Sequence, residues 1–537
     1  MSVTLPDIAY QQKLFDLVNY WRIHTPNAPA IIHQELTLDY AELATQIDLC
    51  ARHLSAQGVG PGDVVALYAQ PGLVFPVHLF AAARLGAIWL GLNTKYSPAE
   101  LDYVLGNAQP KSIWLDATSL AHASPQVQEF FRTRENLWVC TALQVDQRSQ
   151  LAIAPVGTAE LTAEHVLQPL PSATLPSYFD MPPATPTALI YTSGTTGSPK
   201  GAVISQYALT KASIKQAELL NLEQPSIINN LPINHIGSIG DITTSMIAAG
   251  GCVVMQAKFD VPESFELIQK HRITLWGQIP TMFQLALAHE SFAKADLSSL
   301  QCILFSGAPA SIELIRQLRS ICPRVLNAYG MSETVGSVLW VLDGSDDVLA
   351  STVGTPVASV EFRLANEQDQ PVAEGDVGEI QIRSDYCFSY YWNNEAATAE
   401  AFTADGYLKT GDLGRQNPDG TVALAGRTKE RFKSGGYNVY PREIEQTLNA
   451  HPAVLESIVV AVPDALYHEV GFAYIQPKPG STVTADALKE YCKERLANYK
   501  VPKFIAFLHD IPQLANGKIN RQALREQALE QLNSATE

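Results

Sequence analysis

The sequence predicts an α/β protein with mostly parallel sheets, a β-rich subdomain and a smaller final unit. Three observations support this prediction. The chain has 537 residues, more than one hydrophobic core supports. Helix and strand patterns alternate as far as about residue 340, which is typical of parallel sheets covered by helices on both faces. Short strand patterns separated by turns then dominate residues 353–424, which favours a small β-barrel or β-sandwich.

Each element follows from a local pattern. Asp39 and Glu42 have the spacing of a capping box, which marks the start of a helix that carries Leu43, Ile47 and Leu54. Residues 154–186 show no sustained period and are expected to cross between two units. The further elements predicted in chain order are a strand at 64–68, a helix running into a strand at 73–92, a strand at 188–191, a helix at 207–220, strands at 227–228, 359–364, 378–383 and 457–462, a helix near 485–496 and a polar final helix.

Composition excludes several classes of protein. Hydrophobic residues make up 46% of the chain and charged residues 17%, as in a compact globular protein. The net charge of −17 argues against a nucleic-acid surface, because the phosphate backbone binds clustered lysine and arginine. The seven cysteines form no C-x-x-C pair, and the first residues lack a basic flank before an apolar run. We therefore expect reduced thiols, no signal peptide, no transmembrane segment and a cytoplasmic protein.

An apolar strand at 188–191 stops abruptly in a loop of hydroxyls and glycines. Glycines let backbone N–H groups approach a ligand, hydroxyls add neutral donors, and a lysine adds a mobile positive charge. We interpret the loop as a phosphate clamp, although it is not a Walker P-loop. A flexible Ser/Thr/Gly linker is the alternative that composition allows. The candidate residues are Thr192, Ser193, Gly194, Thr195, Thr196, Gly197 and Lys200.

Seven strings occur in an order and spacing that match a known family. They are TSGTTGSPKG at 192–201, SGAP at 306–309, YGMSET at 329–334, YLKTGD at 407–412, GRTK at 426–429, SGGYNVYP at 434–441 and the stretch 512–521 with NGK at 516–518. Over nearly its whole length the chain resembles the adenylate-forming superfamily of acyl- and aryl-CoA synthetases, luciferases and peptide-synthetase adenylation domains. Within it, the chain is most similar to acyl-CoA synthetases and coumarate-CoA-ligase-like enzymes.

The resemblance implies a division into two domains. The N-terminal adenylation domain, 1–428, would contain two mixed or parallel α/β sheet subdomains and a small β-barrel subdomain at about 351–428. A small, mobile α+β domain, 429–537, would follow and carry the catalytic lysine.

The resemblance also implies the reaction. ATP activates a carboxylic acid to an acyl-adenylate with release of pyrophosphate, and the acyl group then passes to the thiol of CoA. Because two anions react, the site needs positive charge, a metal ion and donors aimed at the transition state. By resemblance, Lys518 bridges the carboxylate and the α-phosphate, Glu333 holds Mg²⁺ and Ser332 contacts phosphate. A solvated side chain is the alternative for Glu333 and Lys518.

Further residues are expected to hold the nucleotide. Asp412 follows a strand and a glycine, and by resemblance its carboxylate binds both ribose hydroxyls with Arg427 as its partner. A domain-boundary salt bridge is the alternative for this pair, and a core aromatic is the alternative for Tyr329. By resemblance, the residues around the adenine and phosphates are Ser306, Gly307, Ala308, Tyr329, Gly330 and Ser332.

The C-terminal domain is expected to rotate between the two half-reactions. By resemblance, Lys429 is the hinge, where the backbone absorbs the change. Gly435, Gly436 and Tyr437 would line a tunnel for the pantetheine arm of CoA, because absent side chains leave room for a thin thiol arm. A plain tight turn is the alternative for the glycine pair.

The stretch 231–238 matches the part of the family that contacts the acid. His235 is expected to gate the acid and is counted among the catalytic residues, with a structural histidine as the alternative. It is not a metal ligand, because no second His or Cys stands at ligand spacing. Asn234 replaces the usual phenylalanine, and no aspartate stands at this point to pair with an ammonium group. We assign the acyl pocket to His235, Gly237, Ser238, Ala308 and Gly330, with added polarity from Asp241 and Gln278.

These features predict an ATP-dependent acid–CoA ligase with Mg²⁺ as cofactor. The small pocket residues favour a bulky aryl, alicyclic or medium- to long-chain acid, in fatty acid or aromatic acid metabolism. An acyl-AMP ligase that loads a carrier protein would share every motif, and so would a luciferase-type oxygenase. A non-catalytic adenylate-binding scaffold is disfavoured because Glu333, Asp412, Arg427 and Lys518 are present. A homodimer is left open.

Overall fold

The structure is a computed structural model. It describes residues 12–145, 148–158, 161–168, 170, 175–178, 180–192, 199–435, 437–512 and 519–534. The described residues form two compact units. The first contains those up to 361 together with 383–408, and the second contains 362–382 and those from 409 onward.

The strands of the described residues range from two to eleven residues in length. In chain order they are β1 (Pro29–His33), β2 (Leu36–Asp39), β3 (Val64–Tyr68), β4 (Ile88–Leu92), β5 (Ser112–Asp116), β6 (Leu137–Val145), β7 (Arg148–Pro155), β8 (Pro186–Thr192), β9 (Lys200–Ser205), β10 (Ser226–Asn229), β11 (Cys252–Met255), β12 (Leu275–Gln278), β13 (Cys302–Ser306), β14 (Val325–Met331), β15 (Gly336–Val341), β16 (Thr355–Pro356), β17 (Glu361–Ala365), β18 (Val377–Arg383), β19 (Tyr390–Tyr391), β20 (Leu408–Gln416), β21 (Val422–Arg427), β22 (Phe432–Ser434), β23 (Tyr437–Val439), β24 (Val454–Asp464), β25 (His468–Pro477) and β26 (Phe504–Phe507).

The helices alternate with the strands through most of the chain. They are α1 (Leu14–His24), α2 (Tyr40–Ala56), α3 (Val74–Leu85), α4 (Pro98–Ala108), α5 (Ala117–Ala121), α6 (Pro125–Arg132), α7 (Gln206–Leu220), α8 (Ser245–Ala248), α9 (Val261–His271), α10 (Pro280–Ala288), α11 (Ile312–Ile321), α12 (Asp346–Ser351), α13 (Glu395–Ala401), α14 (Pro441–Asn449), α15 (Ala485–Lys493) and α16 (Arg521–Ser534), with a π-helix at Gly237–Thr244.

Two large sheets build the first unit. The nine-stranded sheet has the order β16-β15-β14-β13-β12-β10-β11-β1-β2, and the eight-stranded sheet has the order β19-β9-β8-β4-β3-β5-β6-β7. Both have parallel centres and antiparallel edges. Parallel strands need crossover connections, which explains the alternation of helix and strand along the chain. The predicted α/β class with mixed or parallel sheets is confirmed.

Helices cover both faces of these sheets. Helices α9, α10, α11 and α12 pack on one face of the nine-stranded sheet, and α4 and α6 pack on one face of the eight-stranded sheet. Helices α1, α2, α3, α7 and α8 form a layer that contacts strands of both sheets. Burial of apolar side chains in these layers holds the strand ends in fixed positions.

A smaller sheet forms the core of the second unit. Its strands run β23-β22-β25-β24, with β26 beside β25. Ile444 of α14 and Leu488 of α15 belong to the core on one face, and Leu524 and Ala528 of α16 belong to the core on the other. The predicted strand at 457–462, the helix near 485–496 and the final helix are confirmed.

The β-rich region differs from the expected barrel. Its strands form a four-stranded sheet in the order β17-β18-β20-β21. The outer strands β17 and β21 do not pair with each other within the described residues, so these residues form one open sheet where a small β-barrel or β-sandwich was expected. Four strands are too few to close around packed side chains. This sheet belongs to the second unit, and the domain boundary at 428/429 stays a prediction.

The cysteines of the protein are unpaired. All seven cysteines lie among the described residues and are free thiols. Burial raises the pKa of each thiol, for example to about 12 for Cys252, Cys302 and Cys387.

Within the described residues, no helix has the length and apolar character that crossing a membrane requires.

The π-helix packs against the turn between β14 and β15. Its Asp241 keeps some accessible surface, but the carboxylate lies deep in the unit and accepts the N–H of Ser337 at 3.3 Å. Burial raises the pKa of Asp241 to about 7, and the hydrogen bonds from Ser337 oppose that effect. Gly336 also packs against this carboxylate, because a Cβ at Gly336 would lie 2.7 Å from Asp241 Oδ1.

The Asp241→Asn variant is expected to be more stable than the wild type above pH 7. The folded protein holds the proton of Asp241 up to about pH 7, whereas the unfolded chain loses it near pH 4, so wild-type stability falls between these values. We expect the variant to gain about 4 kcal/mol above pH 7 and almost nothing near pH 4. Thermal midpoints measured from pH 4 to 8 test this, with exposed Asp343→Asn as the control. A gain that does not change with pH would contradict the prediction.

Candidate active site

Two neighbouring strands flank the predicted phosphate loop. Strand β8 ends at Thr192 and β9 begins at Lys200, and these two residues face each other across the antiparallel pair. Gly201 follows where a Cβ would lie 2.7 Å from Leu189 Cδ1, so glycine permits the close strand contact. The loop residues Ser193, Gly194, Thr195, Thr196 and Gly197 lie outside the described residues. Their role in binding phosphate stays a prediction.

Glu333 lies in the turn that joins β14 to β15. The Thr334 hydroxyl fixes this turn by donating to the carbonyl oxygen of Gly336 at 2.7 Å. Glu333 is only 5% exposed. Its Oε1 accepts hydrogen bonds from the Tyr391 hydroxyl at 2.7 Å and from Thr192 Oγ1 at 3.4 Å. Glu333 is therefore not a solvated loop acid, and the fold brings it to the end of β8.

Lys200 lies against the ring of Tyr391. Its Nζ is 5.1 Å from the ring centre, within the range of a cation–π attraction. Burial, with the negative charge of Glu333 added, raises the pKa of Tyr391, so the phenol is a neutral donor at neutral pH. The Lys200 ammonium group, the neutral Tyr391 phenol and the Glu333 carboxylate therefore lie close together, where the chain enters and leaves the predicted phosphate loop.

The surroundings of Glu333 fit a magnesium ion that is shared with a nucleotide. No three His, Cys, Asp or Glu side chains converge on one point in the described part of the chain. Magnesium is commonly held by one or two carboxylates, with phosphate oxygens and water completing its shell. Glu333 supplies one buried carboxylate of this kind, and Lys200 supplies positive charge beside it.

The carboxyl ends of β13 and β14 lie side by side. Ser306 pairs with Ala328, so Tyr329 emerges next to the chain that leaves β13. Gly307 has a φ of +82°, which favours glycine, and Gly307 and Ala308 are both exposed. Tyr329 is 9% exposed. This is the edge at which open parallel sheets bind ligands, and it brings the predicted adenine residues together.

Gly330 and Ser332 continue this segment toward Glu333. A Cβ on Gly330 would lie 2.0 Å from the carbonyl oxygen of Gly336, so no side chain fits without opening the strand pair. Ser332 is half-buried, and its carbonyl oxygen accepts the N–H of Val335 at 3.1 Å. The contact of Ser332 with phosphate stays a prediction.

The predicted acid-binding stretch leads into the π-helix. His235 is exposed, and its Nδ1 accepts the N–H of Gly237 at 3.0 Å. Ser238 is fully buried, and its hydroxyl donates to Asn229 Oδ1 at 3.2 Å. The position of His235 fits the predicted gate, whereas the Ser238 hydroxyl is engaged within the core.

Side-chain amides add polarity near this stretch. Asn234 Nδ2 donates to the Tyr96 hydroxyl at 3.1 Å, and Asn234 Oδ1 is buried without a hydrogen-bond partner in the described part of the chain. Gln278 Nε2 donates to Asn230 Oδ1 at 3.0 Å. A buried acceptor without a donor destabilises the protein by about 1–3 kcal/mol, so Asn234 Oδ1 is a candidate acceptor for a ligand.

The predicted ribose residues share one sheet of the second unit. Asp412 on β20 and Arg427 on β21 face each other, and Arg427 Nε lies 3.0 Å from Asp412 Oδ1. The arginine side chain is 48% exposed, and exposed ion pairs contribute little to stability. Gly411, inside β20, has a φ of +73° and donates its N–H to Glu379 at 3.0 Å, which fixes the strand next to Asp412.

The predicted CoA residues border an aromatic surface. Gly435 has a φ of +57° and donates its N–H to the carbonyl oxygen of Tyr467 at 3.0 Å. Tyr437 is 60% exposed, and its ring stacks on Tyr499 with 4.5 Å between centres. This surface belongs to the second unit.

Three further predicted residues lie in the C-terminal part of the chain. Lys429 is exposed in the turn that follows β21. Gly436 and Lys518 lie outside the described residues. The hinge, tunnel and catalytic roles of the three stay predictions.

Tyr391 is not among the residues that the sequence motifs indicate. It lies in the aromatic run 390–392, where β19 pairs with β9 and Trp392 donates its N–H to the carbonyl oxygen of Gly201 at 2.7 Å. The pairing strand lies in a distant part of the chain, and no local period indicates it. The run of aromatic residues was the only available signal.

Comparison with known proteins identifies two family models. The model of the AMP-binding enzyme matches residues 21–392, and the model of the AMP-binding enzyme C-terminal domain matches residues 443–518. The first match alone spans more than half of the chain. The order of the two agrees with the order of the seven strings.

Similar proteins match along nearly the whole chain. The indoleacetate–CoA ligase of Aromatoleum aromaticum is 32% identical over 93% of this chain and 95% of its own. The feruloyl-CoA synthase of an Amycolatopsis species is 31% identical over 93% and 96%. The crystal structure of ATP-bound MatB from Rhodopseudomonas palustris has a TM-score of 0.82 and 27% identity, with 96% of this chain and 98% of MatB covered. The predicted superfamily is confirmed: the chain belongs to the family of AMP-binding enzymes.

Proposed function

We propose that the protein is an ATP-dependent ligase that joins a bulky aryl carboxylic acid to CoA. The observation that carries the proposal is the buried Glu333 carboxylate, held by Thr192 and Tyr391 beside Lys200. This arrangement fits a magnesium–ATP complex. The chain is an AMP-binding enzyme whose relatives include acid–CoA ligases that match 93% of its length.

The first half-reaction makes the acyl-adenylate. A carboxylate oxygen attacks the α-phosphorus of ATP, the bond from that phosphorus to the β-phosphate oxygen breaks, and pyrophosphate leaves. Lys518 pairs with both reacting anions, and Lys200 with the loop 193–197 holds the β- and γ-phosphates. Glu333 would hold Mg²⁺, which would withdraw negative charge from the phosphate oxygens. Ser332 donates to phosphate.

Two groups of predicted residues orient the nucleotide. The adenine lies against Tyr329 and Gly330 and the chain at 306–308, where small residues leave room for a flat ring. Asp412 accepts hydrogen bonds from the two ribose hydroxyls, and Arg427 holds the carboxylate in place.

The second half-reaction makes the thioester. The sulfur of CoA attacks the acyl carbon, the bond from that carbon to the phosphate oxygen breaks, and AMP leaves. Gly435, Gly436 and Tyr437 line the path of the thiol arm. The domain 429–537 rotates against 1–428 at Lys429 to bring these residues to the adenylate.

An aryl acid with a polar substituent suits the acid-binding stretch. Two relatives are named for the acids indoleacetate and ferulate. Each of these acids carries an aromatic ring and a hydrogen-bond donor. Asn234 Oδ1 is the acceptor proposed for that donor. His235 gates the acid, and the exposed Ala308 and Gly330 border the pocket.

The location and assembly of the protein are also proposals. The seven free cysteines, scattered without a C-x-x-C pair, support a cytoplasmic protein with reduced thiols. A homodimer is proposed as its assembly and can be tested by light scattering.

A panel of carboxylic acids with ATP, Mg²⁺ and CoA tests the function. We expect indole-3-acetate and ferulate to give pyrophosphate and CoA ester, with kcat/KM at least about tenfold above that for octanoate, cyclohexanecarboxylate or acetate. Acids that lack a ring N–H or O–H donor are the controls for Asn234. Pyrophosphate without CoA ester would indicate an acyl-AMP ligase that loads a carrier protein. No response with CoA or carrier would indicate a scaffold.

The Lys518→Ala variant is expected to lose acid-dependent pyrophosphate release by at least about 100-fold. It removes the positive charge shared by the two reacting anions. Lys200→Ala is expected to lose less, about tenfold, mainly through a higher KM for ATP, because Lys200 binds the leaving phosphates. Lys503→Ala, which removes another lysine together with its ion pair to Asp464 and its contact with the ring of Phe504, is the control. Near-normal rates in Lys518→Ala would contradict the assignment.

The Gly436→Trp variant is expected to block thioester formation while adenylate still accumulates. The indole ring would fill the path of the thiol arm. Single-turnover measurements of acyl-adenylate and CoA ester separate the two half-reactions. Gly106→Trp is the control, since a Cβ at Gly106 meets no atom within 4 Å. Equal loss of both half-reactions would contradict the tunnel.

A further inference from the structure

We propose that Tyr391 is a positioning residue that orients the Glu333 carboxylate for a magnesium–nucleotide complex and keeps Lys200 from pairing with it. The proposal rests on the function proposed above. It assigns a role to a side chain that none of the seven sequence strings contains.

The segment 388–391 holds Glu333 at two points. The N–H of Phe388 donates to the carbonyl oxygen of Glu333 at 2.8 Å, and the Tyr391 hydroxyl donates to the carboxylate at 2.7 Å. The two aromatic rings pack on each other with 4.7 Å between centres. The backbone and the side chain of Glu333 are therefore fixed by one short segment.

The backbone at Tyr391 is itself anchored. Tyr391 pairs with Ala202 on β9 and donates its N–H to Thr398 Oγ1 at 2.9 Å. The next residue, Trp392, donates its N–H to the carbonyl oxygen of Gly201. The hydroxyl is thus placed by rigid neighbours before a ligand arrives, which is how a supporting residue keeps a metal ligand in position.

The phenol also stands between two opposite charges. Lys200 Nζ lies over the ring face, and the hydroxyl at the ring edge points to Glu333. Lys200 and Glu333 form no ion pair with each other within the described residues. A direct ion pair would neutralise the charges that phosphate and Mg²⁺ require. The Tyr391 side chain instead contacts Lys200 through its ring and Glu333 through its hydroxyl, so both charges stay available.

A purely packing role would not require the hydroxyl. The distance of 2.7 Å to a buried carboxylate is that of a strong, charge-assisted hydrogen bond. Phenylalanine would fill the same space and keep the face toward Lys200. The hydroxyl is therefore the part of Tyr391 to test.

The Tyr391→Phe variant is expected to raise the Kd of magnesium–ATP about tenfold. The measurement is isothermal titration calorimetry on the full chain without acid or CoA, with the thermal midpoint expected to change by no more than about 2 °C. Tyr390→Phe is the matched control, since Tyr390 is 37% exposed and neighbouring strand residues point to opposite faces. An unchanged Kd in Tyr391→Phe would overturn the proposal.

A double-variant cycle tests whether Tyr391 acts through Glu333. Once Glu333→Gln is present, adding Tyr391→Phe is expected to raise the Kd of magnesium–ATP no further, because residues that act as a unit are not additive. Titration of ATP in EDTA is expected to give equal Kd values for wild type and Tyr391→Phe. A further tenfold rise in the double variant, or a rise in EDTA, would overturn the proposed route.

The binding titrations and the ligase assay test different proposals, and either can give a negative result without the other. Binding that depends on the Tyr391 hydroxyl supports the positioning role even where no acid yields a CoA ester. Normal binding by Tyr391→Phe in a protein that ligates aryl acids overturns the positioning role alone. A wild-type protein that does not bind magnesium–ATP overturns both proposals.

Discussion

The contacts of Glu333 join the two large sheets of the first unit. Glu333 lies at the edge of the nine-stranded sheet, while Thr192 and Tyr391 belong to the eight-stranded sheet. The carboxylate reaches them only when the shared helical layer holds the sheets at the observed spacing. The packing of helices far from the site therefore sets the geometry of the candidate phosphate and metal site.

Local patterns predicted the elements because local interactions form them. The Asp39 side chain accepts the N–H of Glu42 at 2.7 Å, and Glu42 returns the bond at 3.2 Å, as their spacing indicates. The strand that ends at Thr192 was likewise predictable, from the short apolar run at 188–191. The order of strands within each sheet was not, because it depends on contacts between distant segments.

The unpredicted features all depend on such distant contacts. Tyr391 reaches Glu333 through a strand pair with β9. The π-helix at Gly237–Thr244 has no period that distinguishes it from an α-helix, and it packs Asp241 against Ser337 of β15. Whether a β-rich stretch closes into a barrel depends on pairing of its first and last strands, which local alternation does not specify. The site could thus be located from the sequence, but not its supporting residues.

The raised thiol pKa values have a consequence for the chemistry. An acyl-adenylate is a mixed anhydride that acylates any thiolate it meets, and thiolate is the reactive form of cysteine. Burial keeps the cysteines protonated at neutral pH, with a pKa of about 12 for Cys252, Cys302 and Cys387 and about 11 for Cys492. In an enzyme of the proposed function, burial therefore disfavours acylation of these cysteines by the intermediate.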